Sequence, residues 1–482
     1  MRSASVFALA DDLSGAAEIA AVLMSSSRPA RIALSGPPYL FAAPVVVADL
    51  DSRYRAGAGE LVGKALRHAG DRRVFIKIDS LLRGNVATTT AAALTSAPTG
   101  STAASAPTGS TPGSAPTGPT PAFVPAAHLP DPPLVVLAPA LPSAGRVVVG
   151  GVPYIGGVPL RETRAWHAEG RPAPASVAEV LDGVPSVLVP LATIRAARAT
   201  LARVLSETAG RVAVCDAETD ADLDAIVTAA LTADPHTRFI GAGGLAAALG
   251  RTLDTHRTLP AACGASPAAC GASPAACGAS PAIHQASPAI YQAPSAIHRA
   301  PPLMHRASSA GRRVGSGDRA LLVVVGTAEP GAAEQARLLL SRGAHPVTLD
   351  AATDLDAARR AHTVHRLREA LTMAVAVLTI GGQGPPDLSA ALAEIVRTAL
   401  TGHDPAPDLV LTGGETARRV LDALEVRELT PVGQIHHGAV HSHTPQGRSV
   451  VTRPGSFGER DSLLRIAAHL RPDHCTLEER PK

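Results

Sequence analysis

The sequence predicts an α/β fold of two α/β domains with mostly parallel sheets, joined by a low-complexity linker. Three observations carry that expectation. Short runs rich in Val, Ile and Leu alternate with Ala/Leu/Arg-rich stretches of helical period, as a parallel sheet requires when each crossover helix returns the chain to the same edge. Two repetitive stretches, 95–131 and 260–318, interrupt the alternation and cannot build a core. The roughly 390 residues that remain suit two domains of about 200 each.

In chain order, apolar runs bounded by turn formers predict strands at 4–10, 44–50, 73–79, 134–139, 186–191, 211–217 and 238–242. Helices are predicted between them at 14–25, 57–70, 86–94, 193–207 and 220–233. The segment Val147 to Leu160, with paired glycines and Pro153-Tyr154, reads as an antiparallel hairpin excursion. Past the linker, strands at 320–326, 345–349, 374–380 and 407–412 alternate with helices at 330–342, 354–372, 387–401 and 415–424. The expected domains are therefore 1–259 and 319–482. The insertion at 95–131 repeats Ser-Ala-Pro-Thr-Gly at 96, 105 and 114, a Pro/Gly pattern that predicts a flexible segment. The stretch 260–318 repeats every seven residues from Ala265, but a proline in each unit forbids a heptad helix, so a disordered linker is expected.

Composition excludes several functions. Lys and Arg number 44 against 41 Asp and Glu, a formal charge of +3, too small to point to nucleic acid or another polyanion. Aromatic residues are 2% of the chain, too few for base-stacking platforms. Three of the five cysteines (Cys263, Cys270 and Cys277) belong to the linker repeat, so no disulfide framework is expected and a reducing compartment fits. The first residues lack the apolar core of a signal peptide, and no apolar run approaches a membrane span. A soluble, cytoplasmic protein with small-molecule partners is expected, with neither nucleic acid nor membrane among them.

Ligands of open α/β sheets bind beyond the carboxyl ends of the strands. Four such places carry polar residues. Asp11-Asp12-Leu13-Ser14-Gly15 follows the first strand, where a carboxylate can take a hydroxyl proton or cap the next helix. Asp49-Leu50-Asp51-Ser52-Arg53 and Lys77-Ile78-Asp79-Ser80-Leu81-Leu82-Arg83-Gly84-Asn85 mix cations, carboxylates and hydroxyls, which suits a small hydroxylated acid or a surface ion-pair cluster. Lys77 is one of only three lysines, with Lys64 and Lys482, and occupies a strand position expected to be buried. The fourth place, Thr412-Gly413-Gly414-Glu415-Thr416, joins a strand to a helix through two glycines, an arrangement open to a phosphate or to an ordinary βα turn. Gly326-Thr327-Ala328-Glu329 and Pro454-Gly455-Ser456-Phe457-Gly458 accompany it. Neither a Walker nor a Rossmann fingerprint is present, which disfavours an NAD-dependent oxidoreductase. His436, His437, His441 and His443 crowd together, but Gly438 and nearby prolines predict a loop or hairpin rather than a zinc-binding helix. The Cys/His grid of the linker follows from tandem repetition.

In this order, these motifs resemble the four-carbon acid sugar kinase family. Further matches are Ala138-Pro139-Ala140-Leu141-Pro142-Ser143-Ala144-Gly145-Arg146, Gly151-Val152-Pro153-Tyr154, Val158-Pro159-Leu160-Arg161-Glu162-Thr163 and Arg453-Pro454-Gly455-Ser456-Phe457-Gly458. The resemblance implies a sugar-acid-binding first domain, an ATP-binding second domain, Mg²⁺ on the phosphates, and transfer to the terminal hydroxyl of a threonate, erythronate or 3-oxo-tetronate. It implies that Asp12, Arg53, Lys77, Asp79, Ser80 and Arg83 face the sugar acid, with Asp12 and Lys77 in catalysis. Thr327, Gly413, Gly414, Glu415, Thr416, Gly455 and Gly458 would face ATP. The chain departs from the family where Arg453 replaces Lys, where Gly326-Thr327-Ala328-Glu329 replaces a hydroxyl-rich loop, and where Gly241-Ala242-Gly243-Gly244 replaces Gly-Ser-Ala-Gly. The altered Thr327–Glu329 loop favours the alternative of a catalytically silent sugar-acid sensor.

Overall fold

The computed structural model of the chain describes residues 5–36, 41–96, 133–258, 319–326, 329–350, 356–381, 388–455 and 457–473. The expected linker, the insertion from residue 97 and Thr327 lie outside the described residues.

The first half runs β1 (Val6–Ala10), α1 (Leu13–Leu23), β2 (Ala30–Ala33), β3 (Val45–Asp49), α2 (Ala58–Leu66), β4 (Arg73–Lys77) and α3 (Val86–Thr95). It continues with β5 (Val135–Ala138), β6 (Arg146–Val149), β7 (Val152–Ile155), β8 (Val158–Pro159), α4 (Val177–Leu181), β9 (Ser186–Val189), α5 (Leu191–Ile194) and α6 (Arg198–Ser206). It ends with β10 (Val212–Cys215), α7 (Asp220–Ala233), β11 (Arg238–Gly241) and α8 (Gly243–Thr258). The second half runs β12 (Leu321–Val325), α9 (Pro330–Leu340), β13 (His345–Asp350), α10 (Ala357–Ala370), β14 (Val375–Gly381), α11 (Leu388–Leu400) and β15 (Asp408–Thr412). It closes with α12 (Gly414–Ala423), β16 (Glu428–His436), β17 (Ala439–His443), β18 (Ser449–Arg453) and α13 (Ser462–Leu470). The α/β class read from the alternation is the observed one.

All strands except a small antiparallel β6-β7-β8 sheet join one mixed sheet, ordered β13-β14-β12-β15-β18-β17-β16-β2-β3-β1-β4-β11-β5-β10-β9. The hairpin excursion expected at 147–160 is that small sheet. Central strands such as β1, β3 and β12 are buried along their whole length, the signature of parallel strands covered by helices on both faces. One apolar layer is continuous through both halves, with Leu13 and Ile19 of α1, Leu249 of α8, Ile395 of α11 and Val420 of α12 in the same cluster. The opposite faces are closed separately, by Val62, Val86 and Leu181 in the first half and by Leu339, Leu463 and Ile466 in the second.

The two halves are joined where β16 pairs antiparallel with β2, through Glu428 opposite Ala33 and Leu429 opposite Ile32. Sequence reading missed both strands. β2 has only four residues, and β16 carries bulges at Pro431/Gly433 and Gln434/His436 that disrupt its alternation. Nor did it identify α8, whose Gly250 approaches α1 so closely that a methyl there would lie 2.6 Å from the Val22 carbonyl oxygen. The junction is reinforced by an ion pair. Arg418 of α12 donates to Asp49 Oδ2 at 2.9 Å at the end of β3, and Arg419 lies 3.6 Å from Asp51. Asp49 is 5% exposed, and burial pushes its carboxyl up to about 7 against the opposing charge of Arg418.

Two outcomes are expected. Gly250→Val should destabilise the protein by about 1–3 kcal/mol, seen as a lower urea midpoint at unchanged slope, because backbone oxygen cannot retreat from the added atoms. An unfolded aspartate titrates near pH 4, so between about pH 4 and pH 7 the folded chain holds a proton at Asp49 that the unfolded chain has lost. Stability at this site therefore falls as pH rises through that window. Asp49→Asn should flatten the decline in denaturation midpoint from about pH 4 to about pH 7, and an unchanged slope would remove Asp49 as its source.

Candidate active site

Strand register sets the site. Ala10 lies opposite both Asp49 and Lys77, and Lys77 opposite Gly241, so the segments after β1, β3 and β4 leave the sheet side by side. Asp12 caps α1, accepting the Gly15 N–H at 2.8 Å, which is the capping role its position suggested. Arg53 reaches across from the β3 loop as a planar fork. Its Nε and Nη2 bind the two Asp11 oxygens at 2.8 and 2.9 Å, and its Nη1 binds Asp12 Oδ2 at 2.9 Å. Burial would discharge Arg53, but Asp11, Asp12 and Asp79 outweigh it and hold the guanidinium well above its ordinary pKa.

Lys77 is 5% exposed, in keeping with its expected buried position. Its Nζ lies 3.3 Å from Glu18 Oε2 and donates to the Ile78 carbonyl at 3.2 Å. Burial disfavours its charge, yet Glu18, Asp11 and Asp12 together raise its pKa, so it remains an ammonium. Glu18 sits against the start of α8, where a methyl on Gly243 would lie 2.1 Å from Glu18 Oε1, and a carboxylate at a helix N-terminus is favourable.

Asp79 and Arg83 form a two-pronged pair at 2.7 and 2.9 Å within one turn. Burial raises the Asp79 carboxyl, but the hydrogen bonds and charge of Arg83, with Arg53 and Lys77, hold it below the ordinary carboxylate range. Ser80 accepts a hydrogen bond from Arg146 of β6. This loop folds directly over the Arg53 loop. Gly84 has φ +81°, and any side chain there would meet the Arg53 carbonyl at 2.5 Å. Asn85 Nδ2 donates to the carbonyls of Ser52, Arg53 and Arg55 at 2.9, 3.1 and 2.8 Å, locking both loops together.

The second half repeats the arrangement. Val325, Thr412 and Arg453 end β12, β15 and β18 in one row, and the Gly413 N–H donates to the Arg453 carbonyl at 2.9 Å. α12 begins at once, and its first residue touches the other half. A methyl at Gly414 would lie 2.5 Å from Asp12 Oδ2 and 3.1 Å from Ser14 Oγ. Thr416 Oγ1 donates to the Gly326 carbonyl at 3.3 Å, tying α12 to the β12 loop. Glu415 instead turns outward and accepts from Ser389 at 2.9 Å. Gly455 contributes its carbonyl to Arg453 Nη2 at 3.3 Å, and Gly458, at φ +93°, packs on Ser462. Arg453 is 1% exposed, bonds Gln335 and Ser462, and has no carboxylate partner among the described residues. Burial pushes it down to about 10. Its carbonyl meets the start of α12 while its guanidinium lies against α9 and α13, and a buried cation with no counter-ion among the described residues suits an anion such as a phosphate.

Asp12, Arg53, Lys77 and Gly414 are thus brought together, Asp79, Ser80 and Arg83 border them, and Glu415 points away. Sequence reasoning did not assign Glu18, Asn85, Arg146 or Arg418. Glu18 lies within a predicted helix and Arg418 in another, where surface charge is the ordinary expectation; Arg146 and Asn85 lay inside quoted motifs without a role. His436, His441 and His443 fall on the β16–β17 hairpin, with His437 at its turn, and among the described residues no group of three or more side chains is placed to hold a metal.

Comparison with known proteins follows the same division. Residues 6–249 match a sugar-binding N-terminal domain and residues 322–463 a nucleotide-binding C-terminal domain. The chain is 30% identical over 480 residues to a D-threonate kinase of Cupriavidus necator, covering 94% of this chain and 95% of that one. It is 24% identical over 494 residues to a D-threonate kinase of Bordetella bronchiseptica, covering 97% and 98%. A Salmonella typhimurium structure described as a tRNA synthase shares the fold, with TM-score 0.64, 17% identity and coverage of 96% and 98%. A Haemophilus influenzae structure shares it at TM-score 0.59, also at 17% identity, with coverage of 96% and 100%. The match runs through both halves in order, and the chain belongs to the four-carbon acid sugar kinase family.

Proposed function

We propose that the protein is an ATP-dependent kinase that phosphorylates the terminal 4-hydroxyl of a four-carbon sugar acid such as threonate, erythronate or 3-oxo-tetronate. The single observation carrying this reading is the contact of Gly414 with Asp12. It sets the N-terminus of α12, suited to a transferable phosphate, against a carboxylate of the half that matches a sugar-binding domain. The relatives' activity on D-threonate supports a four-carbon acid as acceptor.

In this mechanism Asp12 accepts the proton of the attacking hydroxyl, held in orientation by Arg53 and the α1 backbone. The hydroxyl oxygen forms its bond to the γ-phosphorus while the bond to the bridging oxygen breaks, its electron pair leaving with ADP. Lys77, Arg53 and Arg83 supply positive charge around the sugar acid, and Asp79 and Ser80 accept from or donate to its hydroxyls. Gly413, Gly414, Thr416, Gly455 and Gly458 shape the phosphate loops, with Glu415 at their edge. Mg²⁺, when bound, would neutralise charge on the phosphates.

The deciding experiment is ADP release from ATP and Mg²⁺ with D- and L-threonate, D- and L-erythronate and their 3-oxo forms, using Lys77→Ala as control. Turnover with one acid, lost in the control, is expected. Silence with binding retained would favour a sugar-acid sensor. Asp12→Asn should lower kcat by about 10²- to 10⁴-fold with KM little changed, and wild-type kcat would remove the base assignment. Gly414→Ala should lower kcat/KM for ATP by about ten- to a hundredfold, because its methyl occupies the contact between the two halves.

A further inference from the structure

Each cation placed around the sugar acid already has a carboxylate partner. Arg53 holds Asp11 and Asp12, Lys77 faces Glu18, and Arg83 holds Asp79. Arg146 differs. It opens β6 after the left-handed turn at Gly145, and its guanidinium reaches Ser80 Oγ. Among the described residues no carboxylate lies within ion-pair distance of it. Burial pulls its pKa down, with the charges of Asp79 and Glu18 opposing and that of Arg83 assisting, so it belongs to the same electrostatic cluster while remaining unneutralised by contact. Its Cζ lies over the ring of Phe457, 5.2 Å from the centroid. Phe457 belongs to the other half, in the loop that follows Arg453, whose carbonyl binds the Gly413 N–H. That ring is itself set against the hairpin turn, where a methyl on Gly438 would meet Phe457 Cδ1 at 3.0 Å.

A guanidinium held over an aromatic ring with one nitrogen on a hydroxyl keeps further N–H donors, and a planar fork of such donors can bind phosphoryl oxygens in pairs. We propose that Arg146, a residue of the sugar-binding half, is a catalytic residue that donates to the non-bridging oxygens of the phosphoryl group during transfer, and that Phe457 of the nucleotide-binding half is the positioning residue that aligns it. The inference rests on the kinase reading. Arg146 makes and breaks no covalent bond: the hydroxyl proton goes to Asp12 and the leaving electron pair to ADP, while Arg146 meets charge that spreads over the transferred oxygens. Because its two contacts come from different halves, on Ser80 and Phe457, the guanidinium is aligned only when sugar-acid loop and nucleotide loop are both in place.

The test compares full-length wild type, Arg146→Lys, Arg146→Ala and Phe457→Leu with ATP, Mg²⁺ and the acid that supports turnover, recording kcat and both KM values. Thermal melting and equilibrium binding of the acid serve as folding controls. Arg146→Ala is expected to lose about 10³-fold or more in kcat, the scale of a transferred-phosphate arginine, with the acid's KM changed less than about threefold. Millimolar guanidinium should restore part of the Arg146→Ala rate, and Arg146→Lys should recover little because it lacks the fork. Phe457→Leu should lower kcat about tenfold with both KM values retained. A tenfold rise in the acid's KM at unchanged kcat would make Arg146 a substrate-carboxylate anchor and overturn the proposal, as would wild-type kinetics in Arg146→Ala. Wild type that turns over no acid would instead take down the kinase reading on which the proposal stands.

Discussion

Arg53 is the interaction on which the site depends. Three nearly buried groups, Asp11, Asp12 and Arg53, are stable together only because one planar fork satisfies two carboxylates at once. Removing the guanidinium would leave two carboxylates in a poorly solvated place with no counter-charge, and one of them is the cap of α1. The same fork fixes where the Asp12 oxygens point: Oδ1 toward the backbone of its own helix, Oδ2 toward the start of α12. Asn85 and Gly84 in turn hold the Arg53 loop down, so the constraint extends into the Lys77–Asn85 segment.

Charges in the site are balanced within the protein itself, which shapes how an anionic substrate can enter. Under the proposed function, a sugar carboxylate at Arg53, Lys77 or Arg83 would have to compete with an aspartate or glutamate already bound there. Arg146 and Arg453 are the exceptions, one in each half, each buried enough to lose solvation and each without a carboxylate contact among the described residues. Unneutralised guanidinium groups of that kind are expensive to maintain in a folded chain, and anionic phosphate oxygens are the natural counter-charge.

Contact between the halves comes from modest elements. Two residue pairs between β2 and β16 extend one sheet through the whole molecule, and the buried Arg418–Asp49 pair sets α12 against the end of β3. The apolar layer shared by α1, α8, α11 and α12 makes that junction part of the core. Where the two halves meet at the start of α12 a glycine stands, because Asp12 leaves no room for a Cβ at Gly414.

By itself the sequence determined the α/β class, most strands and helices of both halves, the small hairpin sheet, and the segments that carry polar groups at strand ends. All of these rest on local physics: apolar period, β-branched runs, turn formers and helix caps act over a few residues. Lys77 could be recognised as buried because it continues the apolar run of β4, which is such a local property. Tertiary structure alone decided which charges pair and which do not. Lys77 finds Glu18, Arg418 finds Asp49 across 369 residues of chain, and Arg146 finds Phe457 instead of an acid. No periodicity encodes these choices, since they follow from the order of strands and from the β2–β16 junction, whose short and bulged strands carry too weak a pattern to be read. For the same reason the sequence placed Asp12 and Gly414 in separate halves, and only the folded sheet set them in contact.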